Sequence, residues 1–394
     1  MKAYEAKDYE AFLTLEKQLR SFAPNDPRTI YNVASGQALT NHPAEAISEL
    51  DKIVAMHLDF AAEKDPDFAS ILKTPEWARY EDRVAMLRKP SGSSTVAFSI
   101  PEKGLVASSI AVDGTSGDVY IGSLRQRKIL KRTKDGVVSE FATSKDGLLG
   151  VTSLLVDPVR KQLFAASSAA PFMQGYQKEE GGKAVLEAFD LASGKLIRTA
   201  SLFAPGEHHV FAQMVEDQRG DIFIVDTGSS EIRRLRRAST EVELFISSVE
   251  FHAPRGIALS ADDRTLYVVD VATGIWAVDV LSIDRTPITV PPGIFAGGLV
   301  GLTRTLDGFV SLQAGVQPVR MVRIHLDAKG QGITAVDTLE SNNLNFDGPT
   351  PGTISGNILY YIANSQLDMV DKKTLEFPAD KGKETVIMRI ALEK

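Results

Sequence analysis

The chain has 394 residues, 43% hydrophobic and 24% charged, the composition of an ordinary globular protein long enough for more than one core. Its formal net charge of −7 argues against nucleic-acid backbone binding as the main task. Cysteine is absent, which excludes disulfides, thiolate nucleophiles and Cys-bound metals but leaves the compartment open, and no run of about 18 apolar residues reads as a membrane span.

Residues 1–88 read as helical. Met1-Lys2-Ala3-Tyr4-Glu5 enters an amphipathic helical pattern with no capping residue before it. That start suggests an exported protein, periplasmic or secreted, whose signal has been removed; a cytoplasmic protein is the alternative. Tyr9, Phe12, Leu13, Leu15 and Leu19 mark one apolar face before Pro24 and Pro27 interrupt the helix. A second helix is expected over Pro27–Leu39, and a third after Pro43, burying Ala46, Ile47, Leu50, Ile53 and Val54. The small residues Ala34, Ala38 and Ala46, set among Tyr31, Pro43 and Leu50, resemble the tetratricopeptide repeat, with about one full unit and one partial unit. Met56 to Leu87 resembles the short module that closes such arrays. So few repeats rarely stand alone, and the segment is expected to pack on the strand-rich remainder of the chain.

Lys89-Pro90-Ser91-Gly92-Ser93-Ser94 reads as a linker over 89–94. From residue 95 to 394 a strand-rich unit recurs six times: a small polar group and an apolar strand, an Asp/Gly turn, then a second apolar strand. Its clearest copies run from Ser108 through Val112-Asp113 to Val119-Tyr120-Ile121, and from Arg255 through Leu259 to Leu266-Tyr267-Val268. The others start near Thr152, Gln213, Val300 and Gly352. A period of roughly 40–50 residues with several strands per unit predicts propeller blades. The fold class is therefore mainly β, a six-bladed propeller preceded by a small all-α segment. The second copy is long, with its surplus near Ala169–Gly182, suited either to a flap over one channel opening or to a disordered surface loop. Thr95–Ile100 and Thr385–Ala391 are expected to pair, completing one blade from both ends of the propeller and leaving no open edge.

Three segments carry a family resemblance. Leu186-Glu187-Ala188-Phe189-Asp190-Leu191-Ala192-Ser193-Gly194-Lys195, the block Pro254–Ser260 with Asp263 and Leu266-Tyr267-Val268, and the tail Tyr360–Gln366 resemble the SMP-30/gluconolactonase/LRE-like (NHL-type) propellers. The resemblance is to a bacterial subgroup fused to a helical repeat. It implies a channel cation, often calcium, held by Glu, Asp and amide side chains, and a hydrolase of lactones or esters in which the metal polarises the carbonyl and activates water. The sequence departs from that pattern. Ala107-Ser108-Ser109 stands where Glu is typical, Ala212-Gln213 where Asn and Asp are usual, Arg255 where Asn or Gln is usual, and Val300 where Asp is expected. The alignment therefore predicts a channel without its carboxylates and with a cation at Arg255, which would repel Ca²⁺. Under a shifted alignment Asn345, Asp347 and Asn364 could face the channel mouth as weak metal candidates.

His209 matches a His common in such propellers, and His252 shares the loop of Arg255. Neither shows zinc-ligand spacing. Ser108 has no nucleophile-elbow context. Ser108, His209, Gln213, His252, Arg255, Gln313 and Asn364 are thus the candidate channel residues. The sequence reads best as a propeller binding a small polar or anionic molecule. The calcium-dependent hydrolase and a protein-binding scaffold are the alternatives, and neither nucleic acid nor a membrane span is among its expected partners.

Overall fold

The first four blades each begin with a strand whose last residues lead into a side-chain-locked turn. Asp113, Asp157 and Asp217 accept hydrogen bonds from the backbone N–H groups of Thr115, Val159 and Arg219 at 2.9–3.0 Å, and Ser260 accepts from Thr265 at 3.0 Å. These local turns reverse the chain into a second strand buried on both faces, as in Val119–Ser123 and Ile222–Asp226. Burial on both sides explains why these strands read as continuous apolar runs rather than alternating ones.

The computed structural model describes residues 2–392. Met1, at the head of the first helical pattern, and the last two residues of the propeller range lie outside the described residues. Among those described, the strands form six antiparallel sheets, five of four strands and one of five. The inner strands are Ala107–Val112, Gly150–Asp157, Phe211–Glu216, Pro254–Leu259, Leu299–Arg304 and Thr353–Ser355. Neighbouring blades pack face to face through apolar layers; Phe223, Val225, Ile257 and Val268 join the third and fourth. The sixth blade takes its outer strand from Thr95–Ile100, paired antiparallel with Thr385–Ala391 from Thr95 opposite Arg389 to Ile100 opposite Thr385. The ring closes as the sequence indicates. Ser91–Gly92 adds a short edge strand to the fifth blade, opposite Ser341 and Glu340.

Four longer helices precede the blades: Tyr9–Phe22, Pro27–Leu39, Pro43–Ala55 and Pro75–Leu87. Asp26 and Thr74 cap two of them, each followed by a first-turn Pro, as helix starts favour. Their core gathers Ile30, Leu50, Phe68 and the fully buried Trp77. The first helix differs from its sequence reading. Phe12 and Leu13 are buried, but Leu15 and Leu19 are 50% and 53% exposed. Leu13 seats against Gly36 of the second helix, and a single neighbour covers only a narrow stripe of a helix.

The helical segment docks on the fifth blade. Arg320, 2% exposed, donates to the carbonyls of Met56 and His57 and, at 2.7 Å, to Gln313. Those carbonyls follow the last turn of Pro43–Ala55, where the helix dipole favours a cation. Burial lowers the Arg320 pKa to about 10, still charged at neutral pH. Asn25 adds bonds to the carbonyls of Val290 and Pro291, and Asp59 N–H donates to Gln317.

Candidate functional site in the propeller channel

Five of the six inner strands are bulged near their start. Pairing with the second strand skips Ser108, Thr152, Ala212–Gln213, Arg255 and Gly301–Leu302. A bulge leaves a residue out of the ladder and re-aims its side chain. Here the skipped residues, with Pro351 and Gly352, line a central cavity of about 480 Å³. The strands crowd this axis: a Cβ on Gly256 would lie 2.6 Å from the Cα of Gly301, so glycine is required for the approach.

Three of the sequence candidates, Ser108, Gln213 and Arg255, meet around this cavity. Ser108 Oγ donates to the Val151 carbonyl. Thr152 Oγ1 likewise donates to Ala166, at 3.0 Å. With their protons directed at backbone, both hydroxyl oxygens keep accepting capacity for a ligand. Gln213 is engaged. Its Oε1 accepts from Ile257 N–H at 3.0 Å and Leu302 N–H at 2.8 Å, while its amide donates to the Leu302 carbonyl. It ties the third blade to the fourth and fifth across the axis. Arg255 is exposed and, among the described residues, has neither an ion pair nor a side-chain hydrogen bond.

The opposite end of the cavity carries Glu216, Asp263 and Arg304. Arg160 binds Glu216 and Asp157, each at 3.0 Å. Burial, reinforced by the Asp157 charge, raises the Glu216 pKa to about 7. Asp263 accepts from Gln218 N–H at 2.8 Å. Arg304, like Arg255, is exposed and has neither an ion pair nor a side-chain hydrogen bond among the described residues. Glu216 and Arg304 close their strands, two to four positions after the bulges, and Asp263 lies in the turn that follows the fourth inner strand. That spacing along one strand was the signal available for them in the sequence.

A hard cation such as calcium requires about six to eight oxygen ligands with substantial carboxylate charge. The carboxylates lining this cavity are Glu216 and Asp263, both at the end away from the bulges and both already engaged. No group of three or more His, Asp or Glu among the described residues could hold a metal ion. The upper ring offers hydroxyls, an engaged amide and a cation, a set that does not fit calcium.

The remaining candidates lie outside the cavity wall. His209, 1% exposed, is held between Asp226 at 2.6 Å and Glu207 at 2.9 Å. His252 is exposed; its ring contacts the Glu250 carbonyl and its backbone N–H donates to Asp270. Gln313 is fully buried between the Gly297 carbonyl and Arg320. Asn364 clamps Glu384 and Val386 at 2.8 and 2.7 Å. Asn345 lies on the surface, and Asp347 pairs with Lys383. A shared position explains several of these placements. The polar residue closing the second strand fastens the loop that enters its blade: Ser123, Asp226, Asp270 and Gln313 all bond that loop's backbone, while Asn364, just past its strand, fastens the start of Thr385–Ala391.

The surplus of the second blade is ordered. Met173 and Ala169 pack with Leu149 and Val185. Phe172 meets Val370 and Phe377 of the 363–384 segment over Val106. The basic run Arg233–Arg237 overlaps the third strand of its blade, and Arg233, Arg234 and Arg236 pair with Glu231 or Glu243, so its charge is largely compensated within the blade.

Solved structures share this architecture. The likeness is one of fold. A calcium-binding regucalcin from Agrobacterium tumefaciens superposes with a TM-score of 0.52 at 14% identity, covering 76% of this chain and 94% of that one. A PQQ-bound aldose sugar dehydrogenase from Streptomyces coelicolor gives 0.50 at 13%, over 77% and 99%. A gluconolactonase from Xanthomonas campestris gives 0.46 at 14%, over 77% and 99%. No protein-family model matches the sequence, and neither does a curated protein. No helix is long and apolar enough to cross a membrane among the described residues.

Proposed function

We propose that the propeller is a binding module whose channel takes a small anionic molecule, with Arg255 as the recognising cation. The supporting observation is the unpartnered Arg255, turned out of its strand by a bulge into a cavity of about 480 Å³. A guanidinium is charged at any working pH and presents a fork matched to carboxylate or phosphate. In an enclosed site one such bond contributes about 1.5–3 kcal/mol, roughly a 10- to 150-fold change in affinity. The oxygens of Ser108 and Thr152 add acceptors for a hydroxyl on the same molecule. The donor set gives a calcium-dependent lactone or ester hydrolase little support.

Calorimetric titration with small hydroxycarboxylates and inorganic phosphate tests the proposal. Binding to the wild type should weaken at least tenfold in Arg255→Gln. Equal affinity in the two proteins would overturn it. So would a Ca²⁺-specific rise in the melting temperature of EDTA-treated protein, which would return the channel to metal chemistry.

A further inference from the structure

We infer that the channel ligand is elongated and doubly acidic: one acidic group meets Arg255 and the other meets Arg304. The inference rests on the proposed anion-binding channel and extends it to the chemical class of the ligand. Arg255 and Arg304 line the same cavity. Neither has an ion-pair partner or a side-chain hydrogen bond among the described residues. They project from neighbouring inner strands, Pro254–Leu259 and Leu299–Arg304, at opposite ends.

Their separation comes from the register. Gly256 lies against Gly301, so Arg255 is level with Val300 and Arg304 lies four residues further along. The bulge at Gly301–Leu302 takes one residue out of the ladder, so at about 3.3 Å per residue this is roughly 10 Å between backbones, the span of an extended chain of about nine carbons. The wall between the arginines mixes apolar residues, among them Ile110, Leu154, Met214, Ile257 and Leu302, with Ser109, Ser153 and Thr303. A short anion would reach only one of the two arginines. A long monoanion would leave Arg304 without a counter-charge.

The acidic groups at the lower end do not supply that counter-charge. Glu216 is bound by Arg160 and Asp263 by the backbone of Gln218. Neither approaches Arg304 within ion-pair distance. Arg304 also borders a second hollow of about 330 Å³ on that face, with Thr305, Arg323 and Asn357. This places its head group at the channel's lower mouth.

The test is calorimetric titration of the whole protein with decanedioate, pentanedioate and decanoate, for wild type, Arg255→Gln and Arg304→Gln. Both arginines are exposed and unpartnered, so both variants should keep the wild-type melting temperature. Decanedioate should bind wild type at least tenfold tighter than either other probe, and each variant should remove that advantage. Decanoate should bind Arg304→Gln and wild type alike. Suppose decanoate matches decanedioate, or Arg304→Gln leaves decanedioate unchanged, while Arg255→Gln still weakens binding. The two-ended inference then falls and the one-ended channel survives. Failure of all three probes to bind wild type overturns the inference, while the hydroxycarboxylate and phosphate titrations judge the one-ended channel separately.

Discussion

Glu187 sits in the third strand of the second blade, Ala184–Asp190, fully buried. Its one side-chain hydrogen-bond partner among the described residues is Ser167 Oγ, 3.2 Å from both carboxyl oxygens. Burial raises its pKa from 4.5 to about 8. Below pH 4.5 both folded and unfolded chains hold the proton, and the group has no effect on the pH dependence of stability. Between pH 4.5 and 8 the unfolded chain releases the proton while the folded one retains it. Stability therefore falls by about 1.4 kcal/mol per pH unit, to a total of roughly 5 kcal/mol at pH 8 and above. Glu187→Gln removes this dependence at the cost of one surplus buried N–H, about 1–3 kcal/mol. Urea unfolding at pH 5, 6, 7 and 8 should show the variant gaining steadily on the wild type. By pH 8 it should be ahead by roughly 2–4 kcal/mol, several degrees in melting temperature. Parallel stability profiles for the two proteins would refute the buried, protonated carboxyl.

The Gln213 bridge should be worth about 1–3 kcal/mol, since Gln213→Ala frees the N–H groups of Ile257 and Leu302 beside a partly hydrated channel; a lower urea midpoint with unchanged slope is the expected reading. Arg320→Leu should strand the carbonyls of Met56 and His57 and undock the helices. Circular dichroism at 222 nm should then melt several degrees before the strand signal, where the wild type melts in one step. Removing the chain from Thr385 onward takes out the strand that holds Thr95–Ile100. The product should be unfolded or aggregated; a soluble product retaining the native strand spectrum would contradict the closure.

The blades were legible because their signals are local. The Asp turns after Val112, Val156 and Glu216 and the apolar second strands repeat in sequence as they do in space. Pairing of Thr95–Ile100 with Thr385–Ala391 was legible as the remaining way to cover two edges. The channel wall was legible in part. Ser108, Gln213 and Arg255 stand at the head of their copies, and the bulges turn those heads inward. Gln313 and Asn364 show why the rest was not. An amide near the end of a second strand can point to the axis or fasten its own loop, and only the fold's path decides. Leu15 and Leu19 make the same point for the helices, because periodicity gives a face but not the width a neighbour will cover.

The seam in the sixth blade imposes an order of events on biosynthesis. Thr95 and Arg389 are 294 residues apart, about 15–60 s of translation at roughly 5–20 residues per second. Throughout that interval the strand Thr95–Ile100 has no partner to pair with. Five blades can assemble in sequence from nearby segments, but the ring can seal only after the last strand leaves the ribosome. Until then both rims of the incomplete ring expose strand edges to other chains. Residues 91–92, already fastened to the fifth blade by Ser341 and Glu340, would hold the waiting strand next to the gap it must fill.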